Sequence, residues 1–138
     1  MGTLKHNWLA ILVATIAAQG IGFGIYGTFS EKWMEWHNLT LEFIESNQSM
    51  TPFIVSIVGS LIMYFLMSLT FKHIGVHSAV EGLKWGAILG FAFAFLGSYT
   101  QGHFEYNVMS GLIDATNNFL GVLVGGLILG AWRKYESA

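Results

Sequence analysis

Gly111-Leu-Ile-Asp-Ala-Thr-Asn-Asn-Phe-Leu-Gly-Val-Leu-Val-Gly-Gly-Leu-Ile-Leu-Gly-Ala-Trp132 is the stretch on which the fold turns. No charge occurs between Ala115 and Trp132. A helix of that length rises about 27 Å, roughly one hydrocarbon core. The stretch therefore reads as a membrane-spanning helix. Asp114 stands at its entrance, with Asn117 and Asn118 a turn deeper. Polar groups at that depth are costly unless partnered, so the remaining helices are expected to satisfy them.

Three further apolar stretches fit the same description, at about residues 8–29, 52–71 and 79–99, with the last span at about 111–132. Of the 138 residues, 54% are hydrophobic and only 10% charged, against about 25% charged in an ordinary soluble domain. Four spans use up the length, leaving one membrane domain over residues 1–138. The expected fold is all-α, an antiparallel bundle of four transmembrane helices. Lys5 before an apolar run gives a rival signal-peptide reading. The run continues to Phe29, longer than a signal core of about 7–15 residues, and this favours a span.

Charge sets the expected orientation. Lys5, Lys72, Lys84, Arg133 and Lys134 fall on one side and Lys32 alone on the other. By the positive-inside rule both termini are expected to face the cytoplasm, with the chain in the plasma membrane. Glu31, Glu35, Glu42, Glu45, Glu105 and Asp114 then lie outside.

Local signals mark the helix ends. Thr51-Pro52 reads as an N-cap followed by proline at the first helical position, and Ser78-Ala-Val-Glu81 has capping-box spacing. Leu39–Ile44 is a candidate short surface helix. Gly82, Gly86 and Gly90 recur every fourth residue in span 3, and Ala94 and Gly97 prolong the same face. Gly121 and Gly125 form a second such face in span 4. Stripes of this kind let helices approach closely. Thr15, Gln19, Gly22 and Tyr26 share one face of span 1. Ser56, Ser60, Tyr64 and Ser68 form a polar stripe on span 2 that reads as a packing surface.

Asn7-Trp-Leu-Ala-Ile-Leu-Val-Ala14, Gly22-Phe-Gly-Ile-Tyr-Gly27, Lys32-Trp-Met34, Leu112-Ile-Asp-Ala115 and Leu127-Ile-Leu-Gly-Ala-Trp-Arg133 together resemble a bacterial membrane family, domain of unknown function 1761. The resemblance covers essentially the whole chain and implies a multi-pass membrane protein with no assigned activity. In that family an aromatic residue and a histidine usually follow the aspartate. Thr116, Asn117 and Asn118 stand there instead, so imidazole chemistry does not carry over.

The candidate polar site comprises Gln19, Tyr26, Asp114, Asn117 and Asn118. Asp114 reads as an interfacial acid in the first turn of its helix, and the amides read as interhelical glue. Cysteine is absent, which excludes disulfides, thiolate metal sites and cysteine nucleophiles. His37, His103, Glu35 and Glu105 have no metal-ligand spacing, so neither a metal nor a cofactor is expected. The net charge of -2 argues against nucleic acid. The leading expectation is a non-enzymatic structural or interaction protein in the lipid bilayer. It would form homo-oligomers, or join a larger membrane partner, through its glycine faces. The second is a small transporter or channel subunit with a polar path near Gln19, Asn118 and Asp114. The third is an enzyme acting at the outer surface through His103 and Glu105.

Overall fold

A computed structural model describes the backbone of residues 4–105 and 107–135, with the side chains of residues 5–102 and 107–134. The elements are β1 (Leu4–Lys5), α1 (Trp8–Trp36), α2 (Leu41–Ser46), α3 (Thr51–Ile74), α4 (Ala79–Leu89), a π-helical segment (Gly90–Phe95), α5 (Leu96–Glu105), α6 (Val108–Ala131) and β2 (Lys134–Tyr135). Four helical stretches are long and apolar enough to cross a membrane: α1, α3, α4 with its continuation to Gly102, and α6. They form the expected antiparallel four-helix bundle. The expected side chains of His103 and Glu105 lie outside the described residues.

α6 is the hub. It contacts α1, α3, α4, α5 and the π segment, and it buries Ser110, Gly111, Ile113, Ala115 and a second group from Gly121 to Gly130. The other spans leave Ile16, Phe23, Ile62 and Phe93 exposed, as expected of helices whose solvent is lipid.

The tightest seam joins α4 to α6. A methyl group at Gly82 would overlap the Gly126 carbonyl oxygen and sit 2.7 Å from Gly130 Cα. One at Gly86 would sit 3.0 Å from the Val122 carbonyl, and one at Gly130 would sit 2.7 Å from Gly82 Cα. Backbone meets backbone here, and dispersion between two such surfaces holds helices together where lipid competes for every apolar side chain. α3 contributes one anchor instead of a seam. Tyr64 is fully buried, its ring fills the space a Gly125 side chain would occupy, and its hydroxyl donates to the Gly121 carbonyl at 2.8 Å. Tyr64→Phe keeps the ring and removes that bond. We expect a loss of about 1 kcal/mol in reversible unfolding in mixed micelles, and an unchanged stability would mean the bond carries nothing.

The chain ends are clasped. Asn7 caps α1, its Oδ1 accepting from the Ala10 N–H, while its Nδ2 donates to the Trp132 carbonyl at 2.8 Å. β1 pairs antiparallel with β2 just beside it. His6 Nδ1 lies 3.1 Å from Ser68 Oγ. Desolvation, with the charges of Lys72 and Arg133, holds the His6 pKa below its ordinary 6.5.

Burial is uneven along the bundle. The buried residues of α1 (Ala10, Ile11, Ala14, Thr15) lie in its first half, and those of α3 (Tyr64, Met67, Ser68, Phe71) in its second. Both halves belong to the end of the bundle that carries the termini. That end is sealed by Ile11, Tyr64, Met67, Phe71, Val122 and Leu129.

Two local expectations change. Met50, not Thr51, is the N-cap of α3, so Pro52 sits at the second helical position, and Ser49 Oγ accepts from the Thr51 N–H at 3.2 Å. The short surface helix runs two residues later than expected, because the Thr40 hydroxyl caps it through the Phe43 N–H. At Ser78 the N-cap holds, its hydroxyl accepting from the Glu81 N–H, while the Glu81 carboxylate reaches one residue further back and accepts from the His77 N–H at 2.7 Å.

Candidate functional site

The end of the bundle away from the termini is hollow. A cavity of about 540 Å³ lies between α1, α3 and α6, and its polar lining is Gln19, Tyr26, Ser56, Ser60, Asn117 and Asn118, with Tyr64 at the sealed end. A second cavity, of about 490 Å³, lies nearer the bundle end, lined by Tyr26, Trp33, His37, Ser98, Asp114 and Asn118 among others. Tyr26 and Asn118 line both. The five residues of the candidate polar site are therefore brought together around two adjoining spaces.

The helical periods explain the convergence. Gln19, Gly22 and Tyr26 follow 3-and-4 spacing on α1 and face inward, as do Asp114, Asn117 and Asn118 on α6. Glycine at position 22 leaves room for Asn117, whose Oδ1 would lie 3.6 Å from a side chain there.

Each polar group has a defined neighbour. Tyr26 Oη donates to Asp114 Oδ1 at 2.6 Å, at the short end for a phenol–carboxyl bond. Gln19 Nε2 donates to Ser60 Oγ and Gln19 Oε1 accepts from Ser56 Oγ, both at 3.2 Å. The polar stripe of α3 thus hydrogen-bonds to α1 as well as packing. Asn118 Nδ2 donates to Ser98 Oγ, and Asn117 Nδ2 reaches Asn118 Oδ1 at 3.4 Å. Among the described residues, Asn117 Oδ1 and Trp33 Nε1 are buried without a hydrogen-bond partner.

Asp114 is not a first-turn acid. Asn107 caps α6 through the Ser110 N–H at 2.9 Å, so the helix begins at Val108, three residues before the expected start, and Asp114 lies in its second turn. It is half-buried against Tyr26 rather than set at the dipole of the helix end. The aspartate end of α6 is tied to the end of α1 by Ser110 Oγ and His37 Nε2, 3.4 Å apart, and His37 stacks on Trp33 with ring centroids 3.9 Å apart. α1 runs on to Trp36, beyond the expected end near Phe29, and this brings Trp33 and His37 over the cavity.

The glycines divide. Gly82, Gly86 and Gly90 lie against α6, while a methyl at Gly97 would meet nothing within 4 Å. The π segment is the reason. Its closing N–H, that of Leu96, reaches back five residues to the Phe91 carbonyl, one more than in an α-helix. The added residue turns everything beyond it by about 100°. Gly97 is carried off the face that an uninterrupted helix would give it. Ser98 moves on to that face and meets Asn118, and Gly102 follows, where a methyl would sit 2.5 Å from Gly111 Cα. π segments often occur at functional sites, and here one aligns a cavity residue. Gly125 packs against the Tyr64 ring, and Gly121 has only looser neighbours, Tyr64 Oη at 3.6 Å and Ala18 Cβ at 3.8 Å.

The strongest glycine faces are therefore occupied inside the chain. Self-assembly of this bundle has to use surfaces other than Gly82, Gly86, Gly126 and Gly130. Among the described residues, no group of three or more His, Asp or Glu side chains is placed to hold a metal ion.

Residues 9–130 match the model of a protein family of unknown function, DUF1761. The chain belongs to this family. The match runs from the start of α1 almost to the end of α6, so the hub, the π segment and both cavities of this DUF1761 protein fall within it. Neither a curated protein nor a solved structure matches the chain.

Proposed function

We propose that this DUF1761 protein is a non-enzymatic, small transporter or channel subunit of a bacterial plasma membrane, with its termini in the cytoplasm. Its polar path enters at Trp33, His37 and Asp114 and ends at Gln19 and Ser60. The observation that carries this reading is the pair of adjoining cavities that share Tyr26 and Asn118. A polar lining at membrane depth is expensive, and its usual counterpart is water or a passing solute. The sealed core beneath Tyr64 supports a path closed at one end, the form expected of one state in an alternating cycle.

The structural-partner reading loses much of its motivating surface, because Gly82, Gly86 and Gly90 lie against α6 and Gly125 against the Tyr64 ring, while Gly97 keeps no close neighbour. The test is solute-driven flux in proteoliposomes. Wild-type protein is expected to carry flux that Asp114→Asn combined with Gln19→Leu abolishes, with the double variant still folded by circular dichroism. Equal flux in the two proteins, or none above empty vesicles in either, would sink the proposal.

A further inference from the structure

We infer that the cavity nearer the bundle end takes a small organic ammonium cation, held by the Asp114 carboxylate against the rings of Tyr26 and Trp33. This rests on the reading of the cavities as a solute path, and it names the class of solute.

Asp114 is half-buried, and among the described residues its hydrogen-bond partner is a phenol, that of Tyr26. Buried carboxylates are ordinarily balanced by a cation. Among the described residues, no lysine or arginine lines either cavity, and the histidine there, His37, is engaged by the Trp33 carbonyl and Ser110 Oγ. The balancing charge is therefore expected from outside the chain. The walls say which kind of cation fits. Tyr26 and Trp33 meet edge to face with centroids 5.9 Å apart, and both line the space that Asp114 faces. Aromatic faces attract ammonium groups through their quadrupole and also cover attached methyl or methylene groups.

A bare metal ion fits poorly. Calcium takes about six to eight oxygen ligands and magnesium a near-ideal octahedron, whereas this cavity offers one carboxylate and the neutral side chains of Ser98, Gln101 and Asn118 beside aromatic rings. Its volume, about 490 Å³, falls in the range of small-molecule sites, roughly 300–1,000 Å³.

The experiment uses full-length protein in lipid nanodiscs titrated with n-butylammonium chloride. Sodium chloride at equal ionic strength is the reference, and calorimetry and tryptophan fluorescence are the readouts. The expected result is saturable ammonium binding that sodium does not reproduce. Asp114→Asn should weaken it about tenfold or more, and Trp33→Leu by about threefold. Absence of saturable binding to the wild type, an equal response to sodium, or undiminished affinity in folded Asp114→Asn protein would overturn the inference. Should Asp114→Asn fail to fold, the same judgement falls on Trp33→Leu, where undiminished affinity overturns it. Asp114-dependent flux of another solute without ammonium binding would remove this inference and keep the transport proposal. Ammonium binding without flux would do the reverse.

Discussion

Gly82→Ala is expected to separate α4 from α6 and to cost about 3 kcal/mol, the upper end of the usual range for overpacking. The added methyl would meet the Gly126 carbonyl oxygen and Gly130 Cα, which are backbone atoms and cannot rotate aside. Only a movement of the whole helix relieves the contact, and that movement forfeits the close approach along Gly86 and Gly130 as well. Gly126→Ala, which puts a methyl 2.8 Å from Gly86 Cα, should cost a similar amount. The double variant should cost less than the sum, because the helices need to part only once. Gly97→Ala and Gly24→Ala meet nothing within 4 Å. They should be neutral, or stabilising by up to about 1 kcal/mol through helix propensity. Reversible unfolding in mixed micelles gives these values. A Gly82→Ala protein as stable as Gly97→Ala would refute the seam.

The second large effect comes from the π segment. Deleting Phe93, an exposed residue of Gly90–Phe95, should restore an ordinary α-helix and turn α5 back by about 100°. Gly102 would then leave Gly111, a bulkier neighbour would enter that contact, and Ser98 would leave Asn118. The expected cost is about 1–3 kcal/mol, together with loss of solute flux. Phe93→Ala keeps the register and should change little. Equal stability and flux in the deletion and in Phe93→Ala would show that the added residue plays no part in the site.

Most of the architecture is legible in the sequence. Apolar length gives the spans, Ser78 and Glu81 mark the start of α4, and the spacing of Gly82, Gly86 and Gly90 gives a face that does meet another helix. The partner of that face was not legible. A four-residue glycine repeat says that something packs closely, and nothing in it distinguishes a neighbour in the same chain from a second molecule. Gly97 was misplaced for a different reason. Periodicity arguments assume 3.6 residues per turn throughout, and no residue in Gly-Phe-Ala-Phe-Ala-Phe announces a π turn. Gly102 facing Gly111 could have been found only with that added residue in hand. At the site, the inward faces of α1 and α6 followed from helical spacing. The depth of Asp114 did not, because Asn107 had not been recognised as the cap that starts the helix early. A first span ending near Phe29 leaves Trp33 and His37 beyond it, and the continuation of α1 to Trp36 is what sets them over the cavity.

Cysteine labelling tests the central claim, that the interior around Asn118 is an aqueous space open on the side opposite the termini. The chain has no cysteine of its own, so single substitutions report cleanly. Asn118→Cys and Ala14→Cys would each be treated, in sealed vesicles of known orientation, with a membrane-impermeant thiol reagent from either side. Asn118→Cys should react from the side away from the termini and not from the other. Ala14→Cys, in the sealed half, should react from neither until the protein is denatured. An Asn118→Cys protein as unreactive as Ala14→Cys, or one that reacts only from the side of the termini, would contradict the account.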